Sequence, residues 1–303
     1  MIHTFCKYSR WGLFLLSIQW LGWVGCQKEP PSPARNRPVP APVTSAKPIV
    51  YFGVITRYNP RVMFKEYQPI MDYLSEHTSY HFELKLGKGY QDAVDYLCTN
   101  RVQIASLGGF TYLEAHDQCG AVPILQPLNQ QGEPFYHSLM VVRKDSDIRT
   151  IEDVRGHSFA FASSHSTSGY LIPATELLEH GIQFEELPVV KHFPHHDQVA
   201  TAVLKGEVDV GSVKDIIAYK YLDQGLRIIH TSAKIPSVPL VVRPDCDSSL
   251  VQEVQQALLT LDFSDSATVS MLSHWNVEFQ HGFIPSDDTH FARLRTIYET
   301  FPR

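Results

Sequence analysis

One stretch constrains this chain more than any other. An apolar run, Ser158-Phe159-Ala160-Phe161-Ala162, leads directly into Ser163-Ser164-His165-Ser166-Thr167-Ser168-Gly169-Tyr170. Leu171-Ile172-Pro173-Ala174-Thr175-Glu176-Leu177-Leu178 follows with helical spacing. A buried strand, a hydroxyl-rich turn and a helix start in that order leave free backbone N–H groups beside side-chain hydroxyls, a setting suited to an oxyanion. The same hydroxyls can simply cap the helix, but Ser166, Thr167 and Ser168 in a row before a glycine exceed what capping requires.

The strand, polar loop and helix recur along the chain. Residues 49–55 are apolar almost throughout, as in a strand covered on both faces. Residues 56–60 form a loop, and 61–76 carry Met63, Tyr67, Ile70, Met71 and Leu74 at helical spacing. Residues 81–86 and 102–107 read as further strands, each followed by glycines and a helix start, the first at Tyr90 and the second at Tyr112. Strands are also expected at 122–127, 135–142, 187–190, 208–213 and 227–232. Short helices are expected at 148–154, 199–205 and 216–222, and tail helices at 248–260, 267–272 and 288–300. The fold class is α/β. Extended segments at 135–142 and 236–242 suggest two crossings between two lobes of mostly parallel sheet flanked by helices. One doubly wound domain would also satisfy the order of elements.

The amino terminus has a different character. Residues 1–27 contain no Asp or Glu, and Lys7 and Arg10 precede an apolar run broken near Gly22, the layout of a signal peptide over residues 1–25. Val24-Gly25-Cys26 resembles a bacterial lipoprotein box, with Trp23 where such boxes usually carry Leu, so Cys26 is the expected lipidated residue. Gln27 after it resembles an outer-membrane signal. Seven prolines between Gln27 and Pro48 favour an extended tether over residues 26–48. Among the remaining cysteines, Cys98 and Cys119 flank one strand–helix unit and are candidates for a disulfide in an oxidising compartment. A formal net charge of −6 gives no reason to expect nucleic acid, and no spacing suggests a metal site or a cofactor.

If ligands sit at the carboxyl ends of the strands, the candidate groups converge there. Ser166, Thr167 and Ser168 offer hydroxyls and N–H groups. His196 can donate and, at an ordinary pKa of ~6.5, gain charge as pH falls. Tyr58, Tyr90 and Tyr112 stand at equivalent loop-to-helix positions, and Lys214 with Asp215 ends the strand at 208–213. A tyrosine in the first turn of a helix is also a common packing residue. An acyl-transfer reading of Ser166, His196 and Asp197 lacks a nucleophile elbow and sets the carboxylate awkwardly beside its own histidine.

These residues resemble a known family. Tyr67-Gln68-Pro69-Ile70, Gly89-Tyr90, Leu107-Gly108-Gly109-Phe110-Thr111-Tyr112, Tyr136-His137-Ser138, Ser166-Thr167-Ser168-Gly169-Tyr170, His196-Asp197 and Gly206-Glu207-Val208-Asp209 occur in the order seen in phosphate, phosphite and phosphonate-binding proteins of ABC transporters. The likeness extends over about 49–261 and implies the type 2 periplasmic binding fold. It would place residues 49–139 and 238–303 in one lobe and 140–237 in the other. It implies oxyanion contacts at the Ser166–Ser168 turn, His196 and Tyr112. Lys214 stands about where the family commonly presents an acidic residue, which favours a ligand with more negative charge over an amino-bearing one. The resemblance implies a monomeric solute-binding lipoprotein of the periplasm, with no catalytic activity, that delivers a small oxyanion to an ABC permease. A ligand sensor acting through a separate membrane receptor or kinase is the second expectation.

Overall fold

The computed structural model describes residues 46–302; the leader, Cys26 and most of the proline-rich tether lie outside them. The first part of the chain alternates strand and helix: β1 (Ile49–Val54), α1 (Pro60–His77), β2 (His81–Leu86), α2 (Tyr90–Cys98), β3 (Ile104–Ser106), α3 (Gly109–Cys119) and β4 (Val122–Pro127). Asn59 starts α1 by accepting from the Arg61 N–H at 2.9 Å, with Pro60 at the first helical position. The stripe of Met63, Tyr67, Ile70, Met71 and Leu74 is fully buried against the sheet. Each such side chain contributes about 2 kcal/mol on leaving water, so packing, rather than helix propensity, holds α1 in place.

The chain then crosses. β5 (Phe135–Tyr136) leads into β6 (Ser138–Arg143), and a second set follows: β7 (Phe159–Phe161), α4 (Ile172–Glu179), β8 (Val190–His192), α5 (His196–Leu204), β9 (Val210–Lys214), α6 (Asp215–Leu222) and β10 (Leu226–Thr231). It returns through β11 (Ile235–Pro236) and β12 (Leu240–Val242), then α7 (Ser248–Leu259), α8 (Ser266–Leu272), β13 (Phe283–Pro285) and α9 (Ala292–Thr300). β5 and β11 pair antiparallel, Tyr136 opposite Ile235 and Phe135 opposite Pro236. The two crossings are therefore laced together.

Two mixed sheets result, ordered β13-β4-β12-β3-β1-β2 and β10-β6-β9-β7-β8. Each strand that follows a crossing enters the interior of its sheet antiparallel to both neighbours: β6 between β10 and β9, β12 between β4 and β3. β13 also pairs antiparallel with β4, at the sheet edge, whereas β1–β2, β1–β3, β7–β8 and β7–β9 are parallel. This is the two-lobed α/β architecture, and the α9 residues Leu294 and Tyr298 join a core that also contains Tyr112, Phe161 and Leu177.

Local chemistry moved some boundaries. Residues 148–154 form only a short 3-10 turn, Glu152–Val154, because the Asp153 carboxylate takes the N–H groups of Arg149 and Thr150 and closes the chain on itself. β8 begins at Val190 instead of residue 187, since Gln183 and Glu186 form a reciprocal cap around the turn Phe184–Glu186. β13 and the turn Val277–Phe279 carried no pattern strong enough to anticipate.

Cys98 and Cys119 are bonded, with Cα atoms 5.4 Å apart, and clamp the ends of α2 and α3. The bond closes a loop with a sequence separation of 21, for which loss of cross-linking costs about 3 kcal/mol. Replacing both cysteines by serine should lower the unfolding free energy by about 3 kcal/mol, seen as a lower urea midpoint.

Candidate functional site

The hydroxyl-rich turn follows β7 and opens as a single π-helical turn, Thr167–Leu171. Ser166 stands before it in extended conformation, its Oγ accepting from the Gly169 N–H at 3.1 Å. The Ser168 carbonyl accepts two buried hydroxyls, Ser138 Oγ at 2.6 Å from β6 and Ser212 Oγ at 3.1 Å from β9. Gly169 is required by space: a Cβ there would lie 2.4 Å from Ala162 Cβ and 2.8 Å from His196 Cε1.

His196 is the first residue of α5 and completely buried. Its Nδ1 accepts from the Lys214 N–H at 3.2 Å, so the ring proton sits on Nε2, 3.1 Å from Ser166 Oγ. Burial, reinforced by Arg57 and His195, pushes the ring down to about 3. The sequence-based expectation that His196 gains charge on acidification does not hold, because desolvation disfavours the imidazolium. The ring is a neutral N–H donor.

The first sheet meets this turn closely. Thr167 Oγ1 accepts from the Phe110 N–H at 2.9 Å at the start of α3. Tyr90 lies beside Ser166, and burial pushes its phenol up to about 12. Its hydroxyl completes no hydrogen bond among the described residues. Tyr136, from the first crossing, brings its hydroxyl next to Thr167 and Ser168, and burial raises its pKa. The Lys214 ammonium sits 4.0 Å from the centre of the Tyr136 ring. It pairs with Glu278, which also pairs with Arg57. Arg57 is buried, with Nη2 3.3 Å from Tyr67 Oη and 3.4 Å from Ser106 Oγ. Beyond Lys214 and Glu278 opens a cavity of about 570 Å³, also lined by Tyr136, Asp215, Tyr219 and His281.

Of the residues expected from sequence, Tyr90, Ser166, Thr167, Ser168, His196 and Lys214 are brought to one region. Tyr112 is not: its hydroxyl donates to Asp288 and its ring packs on Phe291, because the first turn of α3 turns it toward the C-terminal segment. Tyr58 is likewise turned aside, donating to Glu66 at 2.6 Å and accepting from Asn276. Asp215 faces the neighbouring cavity, its carboxylate accepting from the N–H groups of His137 at 3.0 Å and Ile216 at 2.7 Å, with its pKa raised by burial. Sequence reasoning missed Arg57, Tyr136 and Glu278. Arg57 had a signal, since it lies in the loop after β1, and Tyr136 stands in a motif already noted. Glu278 had none.

A profile of the family described as "ABC transporter, phosphonate, periplasmic substrate-binding protein" matches residues 52–291, and the chain belongs to that family. It is 22% identical over 228 residues to the phosphonates-binding periplasmic protein of Escherichia coli K12, covering 71% of this chain and 67% of that one. It is 27% identical over 170 residues to the phosphate-import protein PhnD of Mycolicibacterium smegmatis, about half of each chain (52% and 53%). The crystal structure of PhnD1 from Prochlorococcus marinus in complex with methylphosphonate superposes with a TM-score of 0.75 at 19% identity, over 83% of this chain and 97% of that one. The chain is thus a periplasmic substrate-binding protein that captures a small anionic ligand for an ABC transporter.

The packing at Gly169 generates a test. Gly169→Ala must displace Ala162 or His196 and should destabilise the fold by about 1–3 kcal/mol, as overpacking does. In the folded protein the His196 Nε2–H resonance should lose the shift that reports its bond to Ser166.

Proposed function

We propose that the Ser166–Ser168 turn and the Tyr90 phenol hold the oxygens of a phosphonate, phosphite, phosphate or related organic anion, with the His196 Nε2–H orienting the Ser166 hydroxyl toward them. One observation carries this reading. Ser166 Oγ faces two donors, the Gly169 N–H and the His196 ring N–H, and Thr167 Oγ1 accepts from Phe110. A hydroxyl has one proton and two lone pairs, so both side chains keep their protons to give away inside a buried region. Donation to an anion is roughly twice as strong as donation to a neutral group. Thr167, reaching from the second sheet to α3 of the first, ties occupancy to closure of the cleft.

In this reading residues 49–139 and 238–303 form one lobe, 140–237 the other, and the laced crossings act as the hinge. Residues 1–25 are a signal peptide, and Cys26 carries the lipid that holds a monomer to a bacterial membrane, the outer one if Gln27 acts as the sorting residue. The 26–48 tether lifts the domain toward its permease. The second reading, a sensor signalling through a separate membrane receptor or kinase, draws support from the Lys214–Glu278 pair, which departs from the family pattern at that position.

Calorimetric titration with phosphate, phosphite and methylphosphonate should reveal one saturable site. Thr167→Ala removes a charge-assisted hydrogen bond of about 1.5–3 kcal/mol, so Kd should rise roughly tenfold to a hundredfold. Failure of the whole panel to bind would sink the oxyanion reading.

A further inference from the structure

Charge counted inside the cleft narrows the ligand beyond what the fold does. Arg57 is 4% exposed and Lys214 5%, and the Glu278 side chain 6%. A single carboxylate pairs with both cations, so the three groups carry one net positive charge. His196 is neutral, and burial likewise lowers the pKa of His281 on the segment of Glu278. The Asp215 carboxylate is met by the His137 N–H from the first crossing and by the Ile216 N–H at the start of α6, where the helix dipole also favours its charge. His137 Nδ1 is turned to the Ser232 carbonyl at 2.8 Å and His195 Nδ1 to that of Thr56 at 3.0 Å. Glu66, next to Asn276, is met by Asn276 and Tyr58.

Arg57 has donors to spare. Its Nε has no hydrogen-bond partner among the described residues, and its Nη2 contacts to Tyr67 and Ser106 are long. Its field reaches His196, Tyr90 and Tyr136, the groups around the hydroxyl turn. An uncompensated charge in such a place costs several kcal/mol. The Arg57–Lys214–Glu278 group carries one positive charge, which one negative charge balances.

We propose that Arg57 anchors the ligand and that Glu278 sets its charge, so that the cleft takes an oxyanion as its monoanion and disfavours the same molecule as a dianion. The proposal rests on the oxyanion reading above and adds two residues to it. A carboxylate that accepted an amino group of the ligand would have to leave both cations first. Glu278 is instead a built-in counter-anion that cancels one of them.

Calorimetric titration of the full-length protein with phosphite and with methylphosphonate, between about pH 6 and 9, tests this, because each ligand loses its second proton within that range. For each ligand that binds, affinity should fall about tenfold per pH unit above its own second ionisation. The break should move with the ligand. Glu278→Gln leaves two positive charges and should abolish the fall, raising affinity at the alkaline end at least tenfold. Lys214→Met combined with Glu278→Gln returns the cleft to one positive charge and should restore the fall, which keeps the test decisive if the single variant folds poorly. Arg57→Met should weaken both ligands. An affinity that is flat or rising with pH, a break at the same pH for both ligands, or a double variant without the fall overturns the inference and leaves the oxyanion reading standing. If neither ligand nor phosphate binds at any pH, the oxyanion reading falls and takes the inference with it.

Discussion

A turn buried between two sheets must find a partner for each polar group it carries, and that requirement shapes the centre of this molecule. The Ser168 carbonyl takes hydroxyls from β6 and β9 together. The Ser166 hydroxyl takes the N–H of His196, whose other nitrogen takes the Lys214 N–H. Three strand ends and a helix start are thereby fixed relative to one another by hydrogen bonds that water cannot replace. An unpaired buried group would cost about 1–3 kcal/mol, so substitutions at Ser138 or Ser212 reach the site without touching it.

The same desolvation that fixes the geometry also fixes the charges. It keeps the His196 ring neutral and the Tyr90 and Tyr136 phenols protonated, so the turn acts through dipoles and hydroxyls. Full positive charge enters through Arg57 and Lys214, both answered by Glu278. On the proposal made above, recognition is divided: neutral donors position the oxygens, while a small sum of formal charges sets how much negative charge the cleft tolerates.

Much of this was legible in the sequence wherever chemistry was local. The stripe on α1, the glycine after each strand and the run Ser166-Thr167-Ser168 carry their meaning within a few residues, and the elements formed there. The failures lie where contacts are distant. Tyr112 stands at a strand-end position like Tyr90, yet Asp288 and Phe291, far along the chain, draw it away. Tyr58 follows Glu66 and Asn276 instead of the cleft. The charge state of His196 depends on burial, which no neighbouring residue announces. Glu278 is brought to the centre by a short turn after α8 with no periodicity of its own.

The seat of β12 has a consequence for biosynthesis. It fills the gap between β3 and β4, yet the ribosome delivers it only after all of β6 to β10. Until then the first sheet has two open strand margins, and margins of that kind are prone to stray pairing. The contiguous second sheet carries no such debt and can condense as soon as β10 emerges. The strand that closes the first sheet is therefore delivered only after every strand of the second.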